Sequence, residues 1–252
     1  MSLADNQPEP DGQLIQQEVA ELAGQLSEAE NESRRRRLAR QIAGLAGRTG
    51  KATRLTFLHV RASGQWLTTQ ALEMAPKVPI RSDGTLRLQN PGLETDQIAD
   101  RLIAGAARAS AGVGAAVGAV AAVPFIPSAP LELGVETLAL VAIELKLIAE
   151  LHEVYAMPAP GSTAQRMLAY TGAWAERRGV RITSGGLALA VGSPLRRKLE
   201  RRLLAKAGQS ALALTPLLTG AVAGALLDHH ETRKLGTLVR NDLRKRGQSW
   251  AN

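Results

Sequence analysis

The sequence predicts a mainly α protein: a multi-helix bundle of Gly/Ala-rich, closely packed helices with an amphipathic helical N-terminal region. Three observations lead there. Hydrophobic residues make up 45% of the 252 positions but aromatics only 3%, so the core must be assembled from Ala, Leu, Val and Ile, a composition that favours helices over a sandwich or barrel. Apolar residues recur at helical spacing along much of the chain. Glycine and alanine gather in two long uncharged segments, 109–131 and 207–227. The length suffices for one large domain or two small ones.

Residues 1–12 are polar, acidic and proline-containing. They read as a disordered tail, without the basic start and apolar stretch of a secretory signal, and the product is expected to begin in the cytoplasm. From Gln13 to Gly47 the positions Leu14, Ile15, Val19, Leu22, Leu26, Leu38, Ile42 and Leu45 predict one or two amphipathic helices. Arg54 to Met74 reads as a further helix interrupted near Gly64. Pro76, Pro79, Ser82-Asp83-Gly84 and Asn90-Pro91-Gly92 mark an irregular connector. Residues 13–92 are therefore assigned to an accessory region and connector, and 93–252 to the main domain.

The main domain is expected to open with Thr95 as a helix cap and Asp96 in the first turn. This helix runs through Ile98, Leu102, Ile103 and Ala106 to Val123. Pro124, Pro127 and Pro130 then force a break, and Leu131 to Val154 resumes a long helix. Gly161 to Gly179 gives a shorter helix, Gly185 to Ser193 a small-residue apolar stretch, and Pro194 opens a basic helix. The uncharged 207–227 helix is followed by a polar tail helix from His229.

Both uncharged segments meet the length test for a membrane span. The first is mostly Ala and Gly, however, and breaks at Pro124, while the next helix carries Glu132, Glu136, Glu144, Lys146 and Glu150. Each of those charges costs roughly 2.5–3.5 kcal/mol at bilayer centre, so a helical hairpin through the full bilayer is not expected. Gly114/Gly118 and Gly220/Gly224 are Gly-x-x-x-Gly pairs, whose small faces suit close helix packing in a bilayer or in a soluble bundle.

The net charge is +8. From Pro194 to Asn252 there are twelve basic and four acidic residues, so the last quarter alone equals that excess. Arg196, Arg197, Lys198, Arg201 and Arg202 are its densest part. A second cluster, Arg34 to Arg37 with Arg40, is offset by Glu28, Glu30 and Glu32. Such runs suit either a solvated helix face or an anionic partner. Nucleic acid ranks below a membrane, because neither aromatic stacking platforms nor a recognisable binding module accompanies the charge.

The absence of cysteine excludes a disulfide framework, thiolate catalysis and Cys-ligated metals. No nucleophile elbow, phosphate-binding loop, dinucleotide fingerprint or His-Glu-x-x-His is present. Glu136, Glu144 and Glu150 lie among aliphatic residues and are the candidates for buried acids, expected to pair with arginines such as Arg101, Arg108 or Arg166. A helix-bundle metal site built on them would need Glu-x-x-His pairs. Glu150-Leu-His152 has the wrong spacing, and no metal or cofactor is expected.

The stretch Gly105-Ala-Ala-Arg-Ala-Ser-Ala-Gly-Val-Gly, the turn Pro124-Phe-Ile-Pro, and the helix from Leu133-Gly-Val-Glu-Thr-Leu to His152-Glu-Val-Tyr155 together resemble the EcsC family. Thr219-Gly-Ala-Val-Ala-Gly-Ala to Thr232-Arg-Lys-Leu-Gly236 resembles its closing pattern. The likeness spans about residues 95–240. It departs at Ala156, where the family tends to have Gly after the Tyr. The resemblance implies a bacterial, helical, membrane-associated protein and supplies no catalytic residues.

The expected function is accordingly non-enzymatic: peripheral association with an anionic membrane surface or a membrane protein, on the inner face of the plasma membrane. The basic last quarter would meet the headgroups and the Phe125-Ile126 turn would insert shallowly. The alternative is a soluble scaffold that homo-oligomerises through its Gly-x-x-x-Gly faces.

Overall fold

The computed structural model of the chain describes residues 10–48, 72–120, 129–177, 180–183, 186–189 and 216–250. The fold is mainly α, a multi-helix bundle. Helix α1 spans Pro10–Glu28 and α2 spans Glu32–Arg48. Asn31 caps α2, its Oδ1 accepting the Arg34 amide at 2.8 Å. Helix α1 starts inside the stretch read as a tail, because proline is well tolerated in a first helical turn.

Residues 72–74 are helical and run into a 3-10 turn, Ala75–Lys77. The short helix α3, Asp83–Gln89, then lies within the stretch expected to be an irregular connector. Its turn signals are in fact cap signals. The Ser82 side chain accepts the Thr85 amide, Arg87 pairs with Asp83 one turn away, and Leu86 is buried.

Helix α4 spans Thr95–Val120, and helix α5, Ala129–Val154, begins two residues before the expected Leu131, with Pro130 tolerated in its first turn. The cap of α4 falls one residue earlier than predicted. Glu94 occupies it, and the Gln97 side chain reaches back to the Glu94 amide at 2.8 Å. Helix α6, Thr163–Arg177, opens with a full capping box between Ser162 and Gln165. A two-stranded antiparallel hairpin follows, β1 Val180–Thr183 against β2 Gly186–Leu189, where no strands were expected.

Helix α7 runs unbroken over Pro216–Trp250. The expected division near Asp228 does not occur, since nothing in Asp228-His229-His230-Glu231 breaks a helix and Asp228 itself is buried. His229 and His230 thus lie within a helix rather than at its end.

The core is organised around α5. Between Val135 and Leu151 every residue but Leu140 is buried, so this helix is enclosed on all sides rather than amphipathic. Helices α1, α2, α4, α6 and α7 surround it, and α4 packs most extensively along α7. Val19, Leu26, Leu38, Ile42 and Leu45 of α1 and α2 belong to the same apolar cluster as Ile98, Ile143, Trp174 and Leu243. Residues read from sequence as an accessory region therefore supply part of the central packing.

Close backbone approach sets two of these contacts. A Cβ on Gly236 of α7 would lie 2.8 Å from Ile103 Cγ1 and 2.9 Å from Leu147 Cδ2. A Cβ on Gly105 of α4 would lie 2.9 Å from the Ser27 carbonyl oxygen. At the end of α5, Met157 N bonds to His152 O and Ala156 N to Glu153 O, a Schellman turn with Ala156 at φ 54°. Among the described residues no helix is long and apolar enough to cross a membrane.

Candidate functional site

The three candidate acids on α5 are buried: Glu136 is 4% exposed, Glu144 5% and Glu150 2%. They do not form one site. Burying a carboxylate without compensation costs several kcal/mol, and Glu144 and Glu150, about 120° apart around the helix at 100° per residue, find different partners.

Glu150 belongs to an ion cluster. Lys146, one turn before it and 1% exposed, places its Nζ 2.7 Å from Glu150 Oε1, 2.9 Å from Glu28 Oε1 and 2.6 Å from the Pro79 carbonyl. Arg81 completes the set, its guanidinium gripping Glu150 through Nε at 2.8 Å and Nη2 at 2.7 Å. Burial pushes the Glu150 carboxyl up, but the Arg81 hydrogen bonds and the Lys146 and Arg81 charges outweigh it and leave it below the usual carboxylate range. The partners expected from sequence are elsewhere: Arg101 pairs with Glu30, Arg166 with Glu153, and Arg108 makes no ion pair among the described residues. The Lys146–Glu150 spacing of four residues was a legible signal. Arg81 lies 69 positions from Glu150 and gave none.

Glu144 faces a different side, into a buried polar cluster. Trp174 Nε1–H of α6 donates to Glu144 Oε2 at 2.7 Å, and Thr232 of α7 lies 3.2 Å from Glu144 Oε1 and 2.9 Å from Ser110 Oγ of α4. Four helices meet on these polar atoms. The cluster is enclosed, and its contacts fix helix register, as satisfied buried networks do.

The ion cluster forms the floor of an open polar cleft of about 660 Å³ between α1, α2, α4 and α5. Its lip holds Arg34, Arg101 and Arg108, all exposed, with Asn31 beside Arg34 and Glu30 paired to Arg101. The tetra-arginine run divides its labour here. Arg35 turns back to Glu32 and to the Ala29 and Glu30 carbonyls that end α1, Arg36 pairs with Glu32, and Arg34 lines the cleft. Among the described residues no group of three or more His, Asp or Glu is placed to hold a metal.

The membrane-contact residues singled out from sequence, Arg196, Arg197, Lys198, Arg201, Arg202, Phe125 and Ile126, lie outside the described residues. Of the small-residue pairs, Gly114 is buried in α4, while Gly118, Gly220 and Gly224 are helical positions of α4 and α7.

The described part of the basic last quarter is the outer face of α7. Leu235, Val239 and Leu243 point into the core. The exposed stripe at helical spacing carries Leu226, His230, Arg233, Lys234, Leu238, Arg244 and Lys245. Its acids, Glu231 and Asp242, are only partly exposed and sit at the edges. Arg244 reaches Asp96 at 3.7 Å, whereas Arg233, Lys234 and Lys245 make no ion pair among the described residues.

The chain has no match among protein-family models, curated proteins or solved structures.

Proposed function

We propose that this is a non-enzymatic, EcsC-like bacterial protein that associates peripherally with an anionic membrane surface, through the outer face of α7 and the basic segment before it. The observation that carries the reading is the α7 stripe, where four basic residues alternate with two exposed leucines and no acid. Leu226 at 66% and Leu238 at 49% exposure stand among these bases, and a headgroup layer accepts both residue types.

The magnitudes describe a reversible contact. Each Lys or Arg near an anionic leaflet contributes roughly 1 kcal/mol. The four on α7 therefore supply about 4 kcal/mol, a millimolar affinity, which the six basic residues of 196–206 would raise. Burial of Gly114 inside the fold disfavours the alternative, a scaffold that oligomerises through that face.

Flotation with vesicles tests this reading. The protein is expected to float with phosphatidylserine vesicles at low salt, to stay behind with neutral phosphatidylcholine vesicles, and to be released as the salt rises. Reversing Arg233, Lys234 and Lys245 to Glu, or Arg196, Arg197, Arg201 and Arg202 to Glu, should each weaken flotation. Failure to float at low salt, or indifference to both reversals, overturns it.

A further inference from the structure

The polar cleft between α1, α2, α4 and α5 lies apart from α7. On α4, Ile103 and Ser110 face α7, whereas Gly105 and Gly112 face Ser27 of α1 and Ala39 of α2. Arg101 and Arg108 flank Gly105 on that second face. They stand about 10 Å apart along the axis at 1.5 Å per residue.

The charges of the cleft are unevenly distributed. On its floor, two cations (Arg81 and Lys146) meet two anions (Glu28 and Glu150), and they neutralise one another through the contacts above. At the lip, three guanidinium groups (Arg34, Arg101 and Arg108) face one carboxylate, Glu30, which Arg101 holds at 2.7 Å. Two guanidiniums, those of Arg34 and Arg108, are left without an ion pair among the described residues. An internal salt bridge thus fixes the wall while two positive charges look into a cavity of ligand size.

We propose that this cleft binds a phosphate monoester of a small polyhydroxylated molecule, with its phosphoryl group held by Arg34 and Arg108. A guanidinium fork matches phosphoryl oxygens bidentately, and two unpaired forks balance the two charges of a phosphate monoester where a single carboxylate would satisfy one. Asn31 and Gln89 also line the cleft, their amide oxygens engaged by the Arg34 amide and the Arg81 guanidinium, so their amide N–H groups are what they offer to ligand hydroxyls. The same chemistry is offered by a soluble polyol phosphate and by the headgroup of a phosphorylated inositol lipid.

The test titrates the full chain with ribose 5-phosphate, and separately with phosphatidylcholine vesicles containing phosphatidylinositol 4-phosphate. Wild type is compared with Arg34→Gln/Arg108→Gln and with Arg37→Gln/Arg40→Gln, which removes equal charge outside the cleft. At least one probe should saturate, and the cleft variant should bind it more weakly by at least about tenfold, with the control variant within about twofold of wild type. Saturation by ribose 5-phosphate identifies the soluble source, and saturation by the vesicles alone identifies the headgroup. Amide shifts in wild type should map to residues 27–34 and 101–108, a readout that needs no variant to fold. Saturation of neither probe, equal weakening by both variants, or shifts confined to α7 would overturn the assignment. The α7 charge reversals should leave ribose 5-phosphate binding and the amide shifts at 27–34 and 101–108 intact while weakening vesicle binding, so failure here and failure of membrane association are separable.

Discussion

Ala156 offers the sharpest check on the fold, because its expected effect has an unusual sign. It is exposed and takes φ 54° at the C-terminus of α5, with the bonds from Met157 N to His152 O and from Ala156 N to Glu153 O closing a Schellman turn. The left-handed region costs an alanine roughly 1–2 kcal/mol, because its Cβ crowds the following carbonyl. Glycine avoids that cost but loses more freedom on folding, which offsets roughly 0.4–1 kcal/mol. Ala156→Gly should therefore stabilise the protein by about 0.5–1 kcal/mol, and no packing is lost with an exposed methyl.

For a chain of this size about 1 kcal/mol corresponds to 2–4 °C in Tm, so a rise of roughly 1–4 °C is expected by calorimetry, with a matching shift of the urea midpoint. Ala173→Gly, at an exposed position inside α6, is the control and should destabilise by about 1 kcal/mol. A loss of stability in Ala156→Gly comparable to that in Ala173→Gly would refute the left-handed turn and with it the exit path of α5.

Three further outcomes follow from the packing. Gly236→Ala places a Cβ within 3 Å of Ile103 and Leu147 and should destabilise by about 1 kcal/mol, whereas Gly44→Ala, with nothing within 4 Å, should stabilise by about 0.5–1 kcal/mol; paired urea titrations distinguish them, and equal effects would contradict the α4–α5–α7 contact. Trp174→Phe removes the donor to Glu144 Oε2 and should cost about 1–3 kcal/mol. Burial lowers the His152 pKa, opposed by the Ile148 carbonyl and aided by Arg246 and Arg177, with Asp242 opposing. The folded state then binds fewer protons than the unfolded one, so stability is complete above the unfolded pKa near 6.5 and is lost as pH falls from there toward the folded value. Tm measured between pH 7.5 and 5.5 should decline in wild type, and less so in His152→Asn.

The helices that could be read from sequence were those written in local signals. The prolines divided α4 from α5, apolar residues at 3.6-residue spacing located α1 and α2, and Gly161 and Gly179 bounded α6. Where the same residue types serve two purposes the reading failed. Ser82-Asp83-Gly84 is a turn in one context and a helix start in another, and burial of Leu86 decided for the helix. The charged interval from Asp228 to Glu231 looked like an end to α7, yet Asp228 and Thr232 are buried and the helix continues through them.

The candidate sites divide along the same line. Composition, charge and the absence of cysteine determined the class of protein: helical, basic, and without thiol chemistry. The crowding of carboxylates among aliphatics marked α5 as a helix whose acids would need partners. Only the tertiary structure decided which partners, since Arg81, Glu28 and Trp174 come from distant parts of the chain. It also decided that Arg34 and Arg108 share one cleft while Arg35 and Arg36 are engaged beside it. Helix formation is governed by neighbours within a turn or two, which a sequence displays. The pairing of buried charges depends on which helices touch, and that is fixed only when the whole core has packed.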